Sequence, residues 1–158
     1  MELVAAHTAE YLDAVRALFQ EYASDIRADL CFQGFDRELA ELPGHYAPPD
    51  GRLLLAREGR QGDFAGCVAL RPLDPRTCEM KRMYVRPIYR RHGVGRMLAT
   101  AVIEAAREIG YERMRLDTLA HMTVAIALYR SLGFEDVAPY YPNPLPGATY
   151  MELDLRPH

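Results

Sequence analysis

The sequence predicts a mixed α/β (α+β) domain, a mixed sheet with helices on its faces. Three observations carry this. Apolar residues recur at helical spacing in some segments and alternate in others. The segments follow the order strand, helix, helix, three strands, helix, strand, helix, two strands, which interleaves the two kinds. The 158 residues are 49% hydrophobic and 26% charged, enough for one domain with its own core, and contain no internal repeat, low-complexity tract or linker.

The elements follow in order. "MELVAA", residues 1 to 6, forms a short strand. Thr8 is placed as the N-cap of a helix from Ala9 to Ala28, whose apolar face is Leu12, Val15, Leu18, Phe19, Tyr22 and Ile26. "FDRELAELPG" is a shorter helix stopped by Pro43-Gly44, and "PPDG" is a turn. "RLLLARE" and "DFAGCVALRPL" are strands joined at "EGRQG", which has hairpin chemistry. "CEMKRMYV", residues 78 to 85, is a strand. Strict alternation would put Cys78, Met80, Arg82 and Tyr84 on one face and Glu79, Lys81, Met83 and Val85 on the other. Pro87 ends it. A helix from Gly95 to Ile109 buries Leu98, Val102, Ala105 and Ile109 and closes at Gly110. "RMRLDTL" is a strand, and "TVAIALYRSLGF" is a helix closed by Gly133. Strands near 135–140 and 149–155 flank the proline-rich loop "YYPNPLPG".

Charge and composition exclude several function classes. The net charge of −3 argues against general nucleic-acid affinity. No apolar run approaches the roughly 20 residues of a membrane helix. The N-terminus lacks the pattern of a signal peptide, and three cysteines, Cys31, Cys67 and Cys78, make no CxxC or paired spacing. A cytoplasmic protein without disulfides is expected. The histidines show no HExxH or paired spacing, so no metal site is expected. Cys78 is expected to be a small buried hydrophobe.

Residues 81 to 96, "KRMYVRPIYRRHGVGR", carry +6 with no acid, which leaves −9 for the rest. Such a cluster is either a solvated loop or a seat for a compact polyanion. It surrounds Gly93 and Gly95 where a strand passes into a helix. The first amides of a helix have no intrahelical acceptor, and the helix dipole adds about half a positive charge there. With donors from Arg90, Arg91, His92 and Arg96, the turn suits a pyrophosphate. It is neither GxxxxGK[ST] nor the three-glycine dinucleotide fingerprint.

"R-R-H-G-V-G", Arg90 to Gly95, resembles the phosphate-binding motif [Q/R]-x-x-G-x-[G/A] of the GNAT acyltransferase superfamily. "CEMKRMYVRPIYRRHGVGRML" is similar to the strand and motif of that family, and "AIALYRSLGF" to its late A-x-x-L-Y-x-x-x-G-F helix. The resemblance runs from about Leu53 to Phe134. It implies a mostly antiparallel seven-stranded sheet with helices on both faces and a splayed central parallel pair. It also implies one acetyltransferase domain over 1–158, with acceptor-side helices in 1–50, an acetyl-CoA-binding core in 51–134 and terminal strands in 135–158.

The cosubstrate implied by the resemblance is acetyl-CoA, lying between the strands of residues 78–85 and 113–118. The backbone of Met83, Tyr84 and Val85 would meet the pantetheine arm and the thioester carbonyl. The segment Arg90, Arg91, His92, Gly93, Val94, Gly95 and Arg96 would hold the diphosphate. Tyr129 occupies the family's tyrosine position and would be the general acid. Glu79 is the candidate base for the amine, directly or through water; its alternative is a surface glutamate paired with a cation. Where many family members carry Asn, this chain has Met122, so that contact is lost or falls to Thr123 or His121.

The acceptor side draws on Phe32, Gln33 and Phe35 and on Tyr140, Tyr141 and Asn143, which suit a small polar amine or amino acid. Asp117 in "RLDT" either orients the site or braces a strand end. The leading expectation is acetyl transfer to the primary amine of a small molecule or amino acid by direct attack, with no nucleic-acid or membrane partner. The alternatives are acetylation of a protein N-terminus or lysine, a non-catalytic acyl-CoA sensor, and a plain interaction domain. A homodimer is possible, and nothing in the sequence decides it.

Overall fold

A computed structural model describes residues 1–26, 29, 30 and 33–157. Expectations resting on Ala28, Cys31, Phe32 and His158 lie outside these residues. The chain runs β1 (Glu2–Ala5), α1 (Ala9–Asp25), α2 (Phe35–Glu41), β2 (Arg52–Arg57), β3 (Phe64–Pro72), β4 (Thr77–Val85), α3 (Val94–Ile109), β5 (Arg113–Leu119), α4 (Thr123–Ser131), β6 (Glu135–Val137) and β7 (Ala148–Asp154). Short 3-10 turns occupy Gly44–Tyr46 and Pro87–Tyr89. The order of elements matches the expectation.

Seven strands form one sheet in the order β1-β2-β3-β4-β5-β7-β6. All neighbours are antiparallel except the central pair β4 and β5. The sheet has a core on each face. On one, α3 packs Leu98, Val102 and Ala106 with Val68, Leu70, Met80 and Met114. On the other, α1 packs Val15, Leu18 and Phe19 with Leu53, Leu55, Cys67 and Ala69. Fully burying side chains of this size stabilises the fold by about 1.5–3 kcal/mol each.

Local chemistry explains most boundaries. Helix α3 starts one residue earlier than expected, because Gly93 takes a left-handed conformation (φ 79°) and acts as its N-cap. Gly110, also left-handed at φ 108°, ends it as expected. Thr8 sits at the N-cap of α1, but its side chain makes no capping bond. Strand β6 stops at Val137, three residues short of the expectation, while β7 starts and ends one residue earlier than expected. The loop between them is instead pinned by its own tyrosines, described below.

Candidate active site

The site begins where the central strands part. The parallel ladder pairs Thr77 with Arg113, Cys78 with Met114 and Glu79 with Arg115, and it goes no further. Beyond Glu79, β4 has no ladder partner on its β5 side. The gap is lined by Met80, Lys81, Met83, Asp117, Met122 and Tyr129, among others. An unpaired strand edge of this kind accepts an extended ligand as an added strand.

Strict alternation fails along β4. Cys67 of β3 faces Tyr84, but Ala69 faces Lys81, so β4 carries one extra residue between them. This is a β-bulge. Its mark is Arg82, held at φ 59°, an uncommon conformation for a non-glycine residue. The bulge reverses the faces of the residues that follow it. Met83 and Val85 pack toward the α3 core, and Tyr84 toward the α1 core. Glu79 therefore does not share a face with Met83 and Val85, contrary to the expectation from alternation. The arginine's surroundings hold the bulge. Arg82 Nε and Nη2 each donate to a Glu38 oxygen at 2.9 Å, and Nη1 donates to Gln33 Oε1 at 2.8 Å. Its guanidinium also lies 5.1 Å from the Phe35 ring centre.

The glycine turn follows β4 directly. Arg91 (φ 69°) and Gly93 (φ 79°) are both left-handed, while His92 between them is not. Such alternation turns successive N–H groups to one side and makes an anion-binding concavity. No side chain caps α3, and Met97 N–H donates to the carbonyl of its N-cap, Gly93, at 3.0 Å. Arg91, His92 and Arg96 are exposed around this end, and Arg96 also donates to Ser131 Oγ at 2.8 Å. Arg90 lies elsewhere. Its Nε donates to the Val85 carbonyl at 2.9 Å and its Nη2 meets Asp25 at 3.3 Å. It ties the turn to α1 rather than joining the ring of donors. The Val85 carbonyl is thereby already bonded.

On the α1 side of the gap lies a buried polar network. Glu79 is fully buried, with Oε1 accepting from Arg71 Nε at 2.8 Å and Oε2 from the Tyr140 hydroxyl at 2.6 Å. Lys81 Nζ stands 3.8 Å from Glu79 and 4.0 Å from Asp117, and donates to Gln33 Oε1 at 3.0 Å. Asp117 accepts from the Tyr141 hydroxyl and, at 2.9 Å, from Asn143 Nδ2. Burial pulls the Lys81 ammonium below the ordinary lysine value, against the opposing charge of Glu79. Burial, and then the adjacent carboxylates, push the Tyr140 and Tyr141 hydroxyls up, so both stay protonated donors. The loop from Ala138 to Gly147 is thus fastened over two carboxylates by its own hydroxyls.

Tyr129 lies on the other wall of the gap. Its ring is buried 5.8 Å from that of Phe134, and burial raises its hydroxyl pKa well above the usual phenol value. Met122 accepts a bond from Thr118 Oγ1 at 3.6 Å and lines the gap where many family members carry Asn. Cys67 and Cys78 are buried thiols, and burial pushes Cys78 up to about 12. Among the described residues no cluster of His, Cys, Asp and Glu could hold a metal ion. Among the described residues no helix is long and apolar enough to cross a membrane.

Of the expected site residues, Met83 and Tyr129 line the gap, Glu79 lies buried in the network on the α1 side, the glycine turn follows the end of β4, and Arg90 turns toward α1. The sequence reading gave no role to Lys81, Arg71 or Arg82. For Lys81 and Arg82 the available signal was three ionisable residues, Glu79, Lys81 and Arg82, inside one strand among apolar neighbours, a pattern that buries charge only where partners meet it.

The chain matches the Acetyltransferase (GNAT) family over residues 12–134. It is 43% identical over 145 residues to an uncharacterised N-acetyltransferase of Schizosaccharomyces pombe, covering 91% of this chain and 88% of that protein. Its fold matches an acetyltransferase from Streptococcus agalactiae with a TM-score of 0.79 at 21% identity, covering 97% of each chain. It also matches a GNAT family acetyltransferase from Elizabethkingia anophelis with acetyl-CoA bound, with a TM-score of 0.61 at 24% identity over 82% of this chain and 86% of that one. The chain belongs to the GNAT acetyltransferase family and is an acetyl-CoA-dependent acyltransferase.

Proposed function

We propose that the protein moves the acetyl group of acetyl-CoA to the primary amine of a small molecule by direct attack. The observation that carries this reading is the parting of β4 from β5 after Glu79. The gap has an uncapped helix terminus at one end and a buried acid–lysine network on one wall. The unpaired β4 edge fits a pantetheine arm, and the amides from Arg91 to Arg96 fit a diphosphate. The hydroxyls clamped over Glu79 and Asp117 roof the acceptor side, which favours a small molecule over a protein substrate.

The chain's own groups would act as follows. A backbone N–H of the bulged strand, near Met83 to Val85, faces the negative charge that builds on the thioester oxygen. An alkylamine is mostly protonated at neutral pH and must lose a proton to attack. Glu79 is sealed from solvent, so it takes that proton through the Tyr140 hydroxyl, 2.6 Å away. As the C–N bond forms and the C–S bond breaks, the nitrogen sheds its second proton to water, and the Tyr129 hydroxyl gives its proton to the departing thiolate and regains one from water; Glu79 returns its proton through Tyr140 as the products leave.

The test follows thiol release from acetyl-CoA with a panel of primary amines. Amine-dependent release is expected, with kcat lowered about 100-fold in Tyr129→Phe, the usual scale for loss of a positioned acid. Binding of CoA with no amine-dependent release would overturn the reading.

A further inference from the structure

Beside the buried network lies a cavity of about 360 Å³ between α2, the turn at Gly44–Tyr46 and β3. That is within the usual range for a small-molecule pocket. It joins the network at two points. Gln33, on its wall, accepts from Lys81 Nζ at 3.0 Å, and Arg71, also on its wall, donates to Glu79 at 2.8 Å. Through Gln33 and Arg71 the cavity adjoins the network that holds Lys81 and Glu79.

The charges on the wall are not equivalent. Arg37 pairs with Glu41 at 3.0 Å, and both Glu38 oxygens accept from Arg82. Arg71 differs: it bonds Glu79 through Nε, its side chain is 38% exposed, and it lines the cavity. The outer end of a planar guanidinium held by its Nε presents two parallel N–H groups, which match a carboxylate. His45 stands on the same wall.

We infer that the acceptor is an amino-carboxylate, its carboxylate taken by Arg71 in this cavity and its amine directed toward Lys81 and Glu79. This rests on the acetyl-transfer reading above and names its substrate class. One open guanidinium fits one carboxylate. A polyamine or an uncharged amine would leave it unmatched.

The experiment compares amino acids, both α- and ω-amino, with their amides and their decarboxylated amines. It measures kcat/KM for the parent protein and for Arg71→Lys and Arg71→Ala. The lysine variant keeps a cation for Glu79 but loses the paired N–H groups. At least one acid is expected to exceed its own amide by about 30-fold, the scale of one charge-assisted bidentate contact. In both variants that ratio is expected to collapse toward unity, chiefly through KM for the acid, whatever common loss the two substrates share. Equal use of acid and amide by the parent protein would overturn the inference while leaving acetyl transfer standing. So would a common loss in the variants with the ratio preserved, since a merely structural arginine produces that. If no amine of any class releases thiol, the acetyl-transfer reading fails and takes this one with it.

Discussion

A methyl group added at Gly66 would lie 2.4 Å from the Tyr84 carbonyl oxygen and 3.2 Å from Leu98. Backbone on one side and α3 on the other leave no slack, because β4 crowds β3 where the bulge begins. Gly66→Ala is therefore expected to cost about 2–3 kcal/mol, the scale of overpacking a dense site. Chemical denaturation measures this, and a loss below about 0.5 kcal/mol would contradict the crowding. The same stretch shows how far single residues were legible. Gly93 and Gly110 announced their left-handed turns, since glycine adopts these freely. Arg82 announced nothing. Its positive φ is secured by Glu38 and Gln33, 44 and 49 positions earlier, and no local pattern carries contacts of that range.

At the scale of elements, α1 is fastened to the end of β4 by Glu21 and Arg86. Their two bonds measure 3.0 and 2.8 Å, and Arg86 Nη1 also donates to the Phe64 carbonyl at 2.9 Å. The Arg86 hydrogen bonds hold Glu21 below the usual carboxylate value. A carboxylate with a depressed folded pKa contributes fully above its unfolded pKa and progressively less as pH falls through the folded value. Both side chains are about one-third exposed, so solvent screens the pair to about 0.5–1 kcal/mol. Glu21→Gln is expected to lower Tm by about 2–3 °C at pH 7, and that deficit to shrink and vanish as pH falls through the lowered folded value of Glu21. An undiminished deficit in acid would contradict an ionic origin. Helix α3 was legible because its apolar stripe, opening glycines and closing glycine agree. The faces of β4 were not, because one inserted residue reverses every assignment beyond it.

Over the whole molecule, the parted strands organise the charge. The window from Lys81 to Arg96 carries +6 in a chain of net −3. The structure divides that charge into three uses. Lys81 is buried beside Glu79 of its own strand and Asp117 of β5, and Arg82 is buried on Glu38 of α2. Arg86 and Arg90 brace α1. Arg91 and Arg96 remain outside at the start of α3. The basic window was visible in the sequence, but its division was not, since Asp117, Glu38, Glu21 and Asp25 come from distant segments. The central claim is that the open amides at the start of α3 grip the diphosphate of coenzyme A. Calorimetric titration with CoA, dephospho-CoA and pantetheine tests it most directly, because only pantetheine lacks the diphosphate. Dephospho-CoA is expected to keep most of the affinity of CoA, while pantetheine loses at least about 100-fold, near 2.7 kcal/mol. Pantetheine binding as tightly as CoA, or no binding of CoA at all, would contradict the account.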